Sequence, residues 1–374
     1  MKLAIISHTQ HYKKTDGTIV GWGPTVTEIN HLTGIFDEIF HIGVLVENEE
    51  VPSSAIPYAN EKIHLIPLKK VGGKKVSDKV EICKQIPSVI SVVKKTLKKV
   101  DVFQLRAPTG MGVYLIPYLT FCSSKKGWFK YAGNWIEKNP AIGFAIQRWM
   151  LKHQNRKVTM NGSWTNQQKQ CISFENPCLT EQNRVDGNDV VAIKSWDSKR
   201  INFCFVGTFY KRKGIDKIIE ALSNTSTEQI DTFYFVGGGD NIEKYKDDSK
   251  RINCNIKFTG FLDKNEIVKI YEKSHFIVLP SDNEGFPKVI GEAMNYGCVP
   301  IVSKVSCIDQ YIENSVNGFL IAPNTSERLI TIFENCVKLK NEKFHDIIYR
   351  NYKLAEKFTY TYYNQQLKDH VLND

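Results

Sequence analysis

Glu284 and Glu292 stand eight residues apart in the run PSDNEGFPKVIGEAMNYGCVP (280–300), with Gly285-Phe286-Pro287 directly after the first. Ionised carboxylates only accept hydrogen bonds, so a pair of this kind is suited to gripping hydroxyl groups. The apolar lead-in HFIVLP (275–280) reads as a buried strand, and Pro287 suits the first turn of a helix. Glu284 is therefore expected in the loop at the strand's C-terminal end, and Glu292 one or two turns into the helix. Ligands bind at that edge of open α/β sheets, and the N–H groups of a helix start favour an anion. Hydroxyls next to phosphate are what a nucleotide-sugar offers.

A second group lies in FVGTFYKRKG (205–214), where Gly207 allows a close turn after a strand. Lys211, Arg212 and Lys213 then crowd the approach to a helix that opens at Gly214. Cations beside a helix N-terminus make an anion site of diphosphate size, although a solvated charged turn would read the same way. A third loop, FVGGGD (235–240), runs a strand into three glycines. It lacks the spacing of a dinucleotide fingerprint, and a tight turn explains it equally well.

The elements that must position these loops follow from the apolar pattern. Strand-like runs alternate with longer helical ones, which predicts an α/β fold of βα units on parallel sheets. Strands are expected at 2–7, 38–46, 62–68, 100–106, 128–133 and 157–160, then at 201–207, 232–237, 255–260, 276–280, 299–303 and 318–321. Helices are expected from Thr25, Ser77, Gly110, Asn139 and Thr165, and later from Gly214, Asn241, Lys264, Pro287, Ser306 and Ser326. The polar segment Asn176–Arg200 reads as a linker between two doubly wound domains.

At 374 residues the chain is long enough for two such domains. No apolar stretch approaches a bilayer span, and MKLAIISHTQ reads as a first strand and not as a signal peptide. Nine scattered cysteines without a C-x-x-C pair argue against a disulfide frame or a zinc site, which places the protein in the cytoplasm. Residues 1–200 hold 28 Lys and Arg against 17 Asp and Glu, and ten lysines fall between Lys69 and Lys99. That basic stretch is either a solvated helix face or a surface for anionic lipid headgroups and phosphate-bearing acceptors. Without interleaved aromatics it does not suggest nucleic acid. A second cluster, Lys125, Lys126, Trp128, Phe129 and Lys130, has aromatics that a strand would also explain.

The three loops in this order, followed by TGFL, PS-x-x-EGFP-x4-E-A-M-x-x-G-x-V-P and NGFL, resemble the C-terminal domain of GT-B glycosyltransferases, above all the retaining family 4. The resemblance covers roughly residues 201–321. It implies two doubly wound Rossmann-like domains facing a central cleft: 1–190 for the acceptor, 191–355 for the nucleotide-sugar, and a helix at 356–374 packing back on the first. By the same resemblance Glu284 contacts the donor sugar, Glu292 the ribose and Lys213 the diphosphate. The backbone of Gly285 and Phe286 lies near sugar and diphosphate, with Gly207 and Arg212 in the phosphate turn and Phe261 and Leu262 beside the nucleobase. Relatives carry an Arg where this chain has Thr208, and a His near where Asn134 falls; Lys211 or Arg212 would have to replace the former. Gly23, or Gly21 second, matches the glycine-rich loop after the first strand. Arg106 is expected either at the cleft or buried, and His8 and His11 are further cleft candidates. No metal motif or cofactor is expected. The implied activity is transfer of a sugar from a nucleoside-diphosphate-sugar to an acceptor hydroxyl with retention, in polysaccharide or glycolipid assembly. A glycan or lipid-linked acceptor and a peripheral membrane position go with it. A 2-epimerase and a non-catalytic nucleotide-sugar or glycan-binding protein are the alternatives.

Overall fold

The computed structural model describes residues 1–47, 49–70 and 76–373, without the side chains of 76–80. Part of the basic stretch between Lys69 and Lys99 therefore lies outside the described residues. The chain forms two compact units, Met1–Phe174 with Asn364–Asp374, and Glu175–Tyr363.

The first unit contains β1 (Lys2–Lys13), β2 (Ile19–Trp22), α1 (Gly23–Leu32), β3 (Glu38–Val46), β4 (Ala55–Pro57), β5 (Ile63–Lys69), α2 (Val76–Leu97), β6 (Val102–Ala107), α3 (Gly112–Phe121), β7 (Lys126–Tyr131), α4 (Ile142–Lys152), β8 (Val158–Met160) and β9 (Cys171–Ser173). Seven strands run parallel in the order β5-β3-β1-β6-β7-β8-β9. The runs Leu3–Ile6 and Val102–Leu105, apolar except for Gln104, are buried on both faces, as a parallel sheet covered on both sides requires. The aromatics of the Lys125–Lys130 cluster belong to β7, where Trp128 and Phe129 are core residues.

The first strand differs from expectation. After a register shift between Ile6 and Gln10, β1 continues to Lys13, and β2 returns antiparallel to it, followed by β4. The segment after residue 7, where the first strand was expected to end and the glycine-rich loop to follow, is thus mostly sheet. Its polarity is absorbed inside: His11 is buried with Nε2 2.7 Å from Tyr58 Oη, and the same hydroxyl lies 2.6 Å from His41 Nδ1. Ser7 Oγ then meets His41 Nε2 at 2.7 Å. His11 is accordingly an interior group, whereas His8 is exposed. A second polar cluster ties α1 to the sheet. Glu28, 3% exposed, takes Arg106 and Lys130 on one carboxylate oxygen, so Arg106 is a largely shielded cation in a structural ion pair.

The second unit contains α5 (Glu181–Ile193), β10 (Ile201–Val206), α6 (Ile215–Ser223), β11 (Ile230–Val236), α7 (Ile242–Ser249), β12 (Asn255–Gly260), α8 (Lys264–Lys273), β13 (Phe276–Leu279), α9 (Lys288–Asn295), β14 (Val299–Ser303), β15 (Phe319–Ile321), α10 (Ser326–Val337) and α11 (Asn341–Ala355). Helix α12 (Tyr360–Leu367) is followed by a wide helical turn at Lys368–Leu372, and from Asn364 these residues count with the first unit. The sheet is wholly parallel in the order β12-β11-β10-β13-β14-β15. Both units are Rossmann-like α/β folds.

Three local expectations are corrected. The segment taken for a linker contains α5, started by a reciprocal capping box between Thr180 and Asn183. Lys194, the C-cap of that helix, is buried and donates to the carbonyls of Tyr271 and Tyr296, so one cation closes the C-terminal ends of α8 and α9. No helix starts at Thr165, where the chain makes turns, and only a 3-10 turn (Ile308–Gln310) follows Ser306, whose φ of 52° interrupts any regular start.

Candidate functional site

Consecutive strand order reverses between β10 and β13: the chain leaves β10 toward β11 on one side and continues from β13 toward β14 on the other. A crevice forms at such a switch point, outside the carboxyl ends of the strands. The loop after β10 carries Lys213 and the loop after β13 carries Glu284. Their side chains form an ion pair across it, both less than a fifth exposed.

Backbone geometry forces this meeting. Gly214 adopts φ 73°, and a Cβ there would stand 2.3 Å from the carbonyl oxygen of Pro280. The turn before α6 can therefore press directly on the end of β13 only with glycine in that place. Asp282 N then donates to Arg212 O at 2.8 Å, and Lys217 pairs with Asp282. A similar approach joins the neighbouring loops: Gly237 has φ 127° and a Cβ there would lie 1.9 Å from Gly207 O. Phe209 N bonds Gly238 O at 2.8 Å, and Gly237 N bonds Gly260 O at the same distance. The three glycines of 237–239 thus serve tight loop packing.

Helix α9 begins after Pro287, which is its N-cap and not its first turn, with no acidic residue in the first turn and no side chain capping it. The loop before it is fixed by Phe286, whose buried ring stacks on Phe358 at 4.7 Å and packs against Tyr311. That anchoring was not legible locally, because Phe358 lies seventy-two residues further on. Cys307 Sγ and Asn176 Nδ2 hold the carbonyls of Gly285 and Phe286, orienting the peptide planes of the turn.

Glu292 is largely shielded from solvent and accepts from Tyr271 Oη at 3.3 Å. Burial raises its carboxyl above the usual range, against the pull of Lys264 and Lys288. On the far side, Phe261 follows β12 with its ring 63% exposed and lying against Gly238. Leu262 packs into the apolar cluster of Val206, Val236 and Ile277. Thr208 is partly buried at the foot of the β10 loop, while Lys211 and Arg212 are exposed.

The fold brings Lys213, Glu284, Gly285, Phe286, Glu292, Gly207, Thr208, Arg212, Phe261 and Leu262 to the carboxyl edge of one sheet. Gly23 and Asn134 belong to the first unit. Gly23 opens α1 with its N–H on Ser54 O at 3.0 Å. Asn134 lies in the loop after β7, where Oδ1 accepts from Ile136 N.

Comparison with known proteins agrees with this geometry. Residues 189–354 match the family described as glycosyl transferases group 1. A glycogen synthase of Thermodesulfovibrio yellowstonii is 29% identical over 143 residues, which is 37% of this chain and 28% of that protein. An uncharacterized glycosyltransferase of Haemophilus influenzae is 30% identical over 33% of this chain and 36% of its own. The chain thus spans about a third of the length of these curated relatives. Anabaena HepE, solved with UDP, superposes over 100% of both chains with a TM-score of 0.69 at 14% identity. Sucrose-phosphate synthase from Thermosynechococcus elongatus does so over 98% of this chain and 97% of its own, with a TM-score of 0.71 and 14% identity. The whole chain thus has the GT-B fold, and its second unit, with the Lys213–Glu284 crevice at the switch point of the sheet, carries the match to the glycosyl transferases group 1.

Proposed function

We propose that the protein is a glycosyltransferase that moves a hexose-type sugar from a nucleoside-diphosphate-sugar to an acceptor hydroxyl with retention. The observation that carries this is the Lys213–Glu284 pair beside the start of α9. A cation and a carboxylate held together at a helix N-terminus match a ligand that is anionic at one end and hydroxylated at the other. In this reading Lys213 turns from Glu284 to the diphosphate, and the carboxylate accepts from sugar hydroxyls. Glu292 holds the ribose, and the exposed ring of Phe261 gives the base a stacking surface. HepE was solved with UDP-glucose, so UDP-glucose is the first donor to test here.

In the transfer itself the bond from the anomeric carbon to the diphosphate oxygen breaks as the acceptor oxygen bonds that carbon on the same face. The acceptor's proton passes to the departing diphosphate. Lys213 and the N–H groups of residues 285 and 286 stabilise the charge that builds up on it. No dedicated base and no metal enter this scheme, which gives Glu284 a binding role. A polysaccharide or glycolipid acceptor is part of the proposal.

Thr208 favours a second reading, a protein that binds the nucleotide-sugar without turning it over. A neutral hydroxyl in place of a guanidinium forfeits a charge-assisted bond worth about 1.5–3 kcal/mol. Thermal unfolding with UDP and UDP-glucose, followed by assay of sugar release and transfer with pooled acceptors, separates the two. Stabilisation with turnover that Glu284→Ala lowers by roughly tenfold or more supports the enzyme. Stabilisation without turnover supports the binding protein, and no stabilisation by any nucleotide removes both.

A further inference from the structure

We propose that helix α4 of the first unit docks the protein on an anionic lipid surface by inserting the apolar side chains that it turns toward solvent. This helix is amphipathic in the wrong sense for a soluble core. Its interior residues are Gln147 and Leu151, whereas Ile142 is 80% exposed, Ile146 43% and Trp149 62%. Positions 142, 146, 149 and 153 fall on one stripe at helical spacing. The fourth of them, His153, is exposed and lies beside the Trp149 ring with centroids 4.9 Å apart.

The orientation is fixed by the buried amide. Gln147 Nε2 donates to Thr109 O at 2.9 Å, and its Oε1 accepts from Thr109 N at 3.1 Å. A Cβ on Gly112 would lie 2.0 Å from the same Oε1, so α3 and α4 meet around this side chain with no room to spare. Rolling α4 to bury Ile142 and Trp149 would strand the Gln147 amide and open those hydrogen bonds. The outward stripe is therefore a built feature of the element. Ile136 before the helix and Val113 on α3 are also exposed.

Charge selects the occupant. Between Val102 and Phe174 there are ten Lys and Arg and a single acid, Glu137. Some of these cations serve the interior, such as Arg106 and Lys130 on Glu28 and Arg156 on the carbonyls of Ser123 and Lys125. Lys126 and Lys138 are exposed, and Lys152 leans over Trp135 on the helix itself. A second copy meeting this face would set cation against cation with almost no acid to pair them. Anionic headgroups accept the lysines, while isoleucines and a tryptophan partition into the layer beneath. Among the described residues no helix is long and apolar enough to cross a membrane, so the contact is interfacial. The basic segment between Lys69 and Lys99 is not needed for it.

The test is flotation of the full chain with vesicles of phosphatidylcholine alone or with about a third phosphatidylglycerol. The proposal expects flotation with the anionic vesicles, weakened in high salt, and roughly tenfold or greater loss in the triple variant Ile142→Ser, Ile146→Ser, Trp149→Ser. Its thermal unfolding and UDP response should match the parent, since these side chains are solvent-facing. Lys138→Glu with Lys152→Glu should reduce binding to anionic vesicles while leaving the apolar stripe in place. The idea is overturned if the parent ignores anionic vesicles, or if the triple variant binds them as well as the parent. It is equally overturned if the parent is an oligomer that the triple variant converts to a monomer, which would make this face a contact between copies. Vesicle binding does not depend on the donor site, so this result and the nucleotide result stand or fall separately.

Discussion

Lys213 and Glu284 neutralise one another across the crevice, so each is held in place before a ligand competes for it. Replacing either by Ala removes one charge-assisted contact and leaves its partner uncompensated. Each single change is expected to lower kcat/KM by roughly 10–100-fold, and the double change by much less than the product. Steady-state kinetics on the two single variants and the double variant checks this. Glu292 behaves differently because burial raises its carboxyl. Its folded-state pKa lies above the unfolded value, so ionising it costs stability once pH exceeds the ordinary carboxyl range. Glu292→Gln should therefore raise Tm by roughly 1–4 °C at pH 7, with the gain fading toward pH 4, while donor KM rises. A Tm–pH series run beside donor titrations would reveal this opposition of stability and function. These residue types and their spacing were legible because EGFP-x4-EAM is a contiguous signal. The Lys213–Glu284 pair was not, since seventy-one residues separate its members and only the strand order joins them.

At the scale of elements, the loops that build the crevice depend on close backbone approach. Gly214→Ala would place a methyl against Pro280 O and force an L-residue to hold φ 73°. The expected cost is roughly 1–3 kcal/mol or more, with weaker UDP binding because Lys213 shifts with the turn. Urea unfolding of the variant, paired with a UDP titration, measures both effects. In the first unit, α1 is fastened by Glu28 to cations on β6 and β7. Glu28→Ala removes the carboxylate that two shielded cations share and should cost about 3–5 kcal/mol, whereas a surface pair such as Lys244–Asp248 should cost less than about 1 kcal/mol. The parallel strands of the second unit were readable almost to the residue, since continuous apolar runs between glycine turns leave few alternatives. The extension of β1, the strands β2, β4 and β9, and α5 were not readable. Their polar residues look like loop until partners such as Tyr58 for His11 are in place.

At the scale of the whole molecule, buried imidazoles set the acid limit of stability. His275 accepts the N–H of Asn202 on Nδ1, and its Nε2 faces Ser195 O, so the ring is held neutral. Burial first, and then Lys194, lowers its pKa to about 4. His41, enclosed by Ser7 and Tyr58, is pushed well below its ordinary value by burial and by the neighbouring His11 and Arg106. Both have folded-state pKa values below the unfolded ones, so the unfolded chain binds the extra protons and stability falls as pH drops below about 6.5. Each group should remove about 1.4 kcal/mol per pH unit until its own folded pKa is reached. Chemical denaturation at pH 7.5 and pH 5.5 should show a loss of roughly 2–3 kcal/mol, and a flat profile would contradict it. The sequence by itself determined the α/β class, the strands of the second unit and the residues of the Glu284–Glu292 loop, because these are encoded in contiguous patterns. Only the tertiary structure decided which cation meets Glu284, that Arg106 and His11 serve the interior, and that α4 turns its isoleucines outward. Those outcomes depend on which distant polar groups find partners, and a buried amide or carboxylate overrides what local periodicity favours.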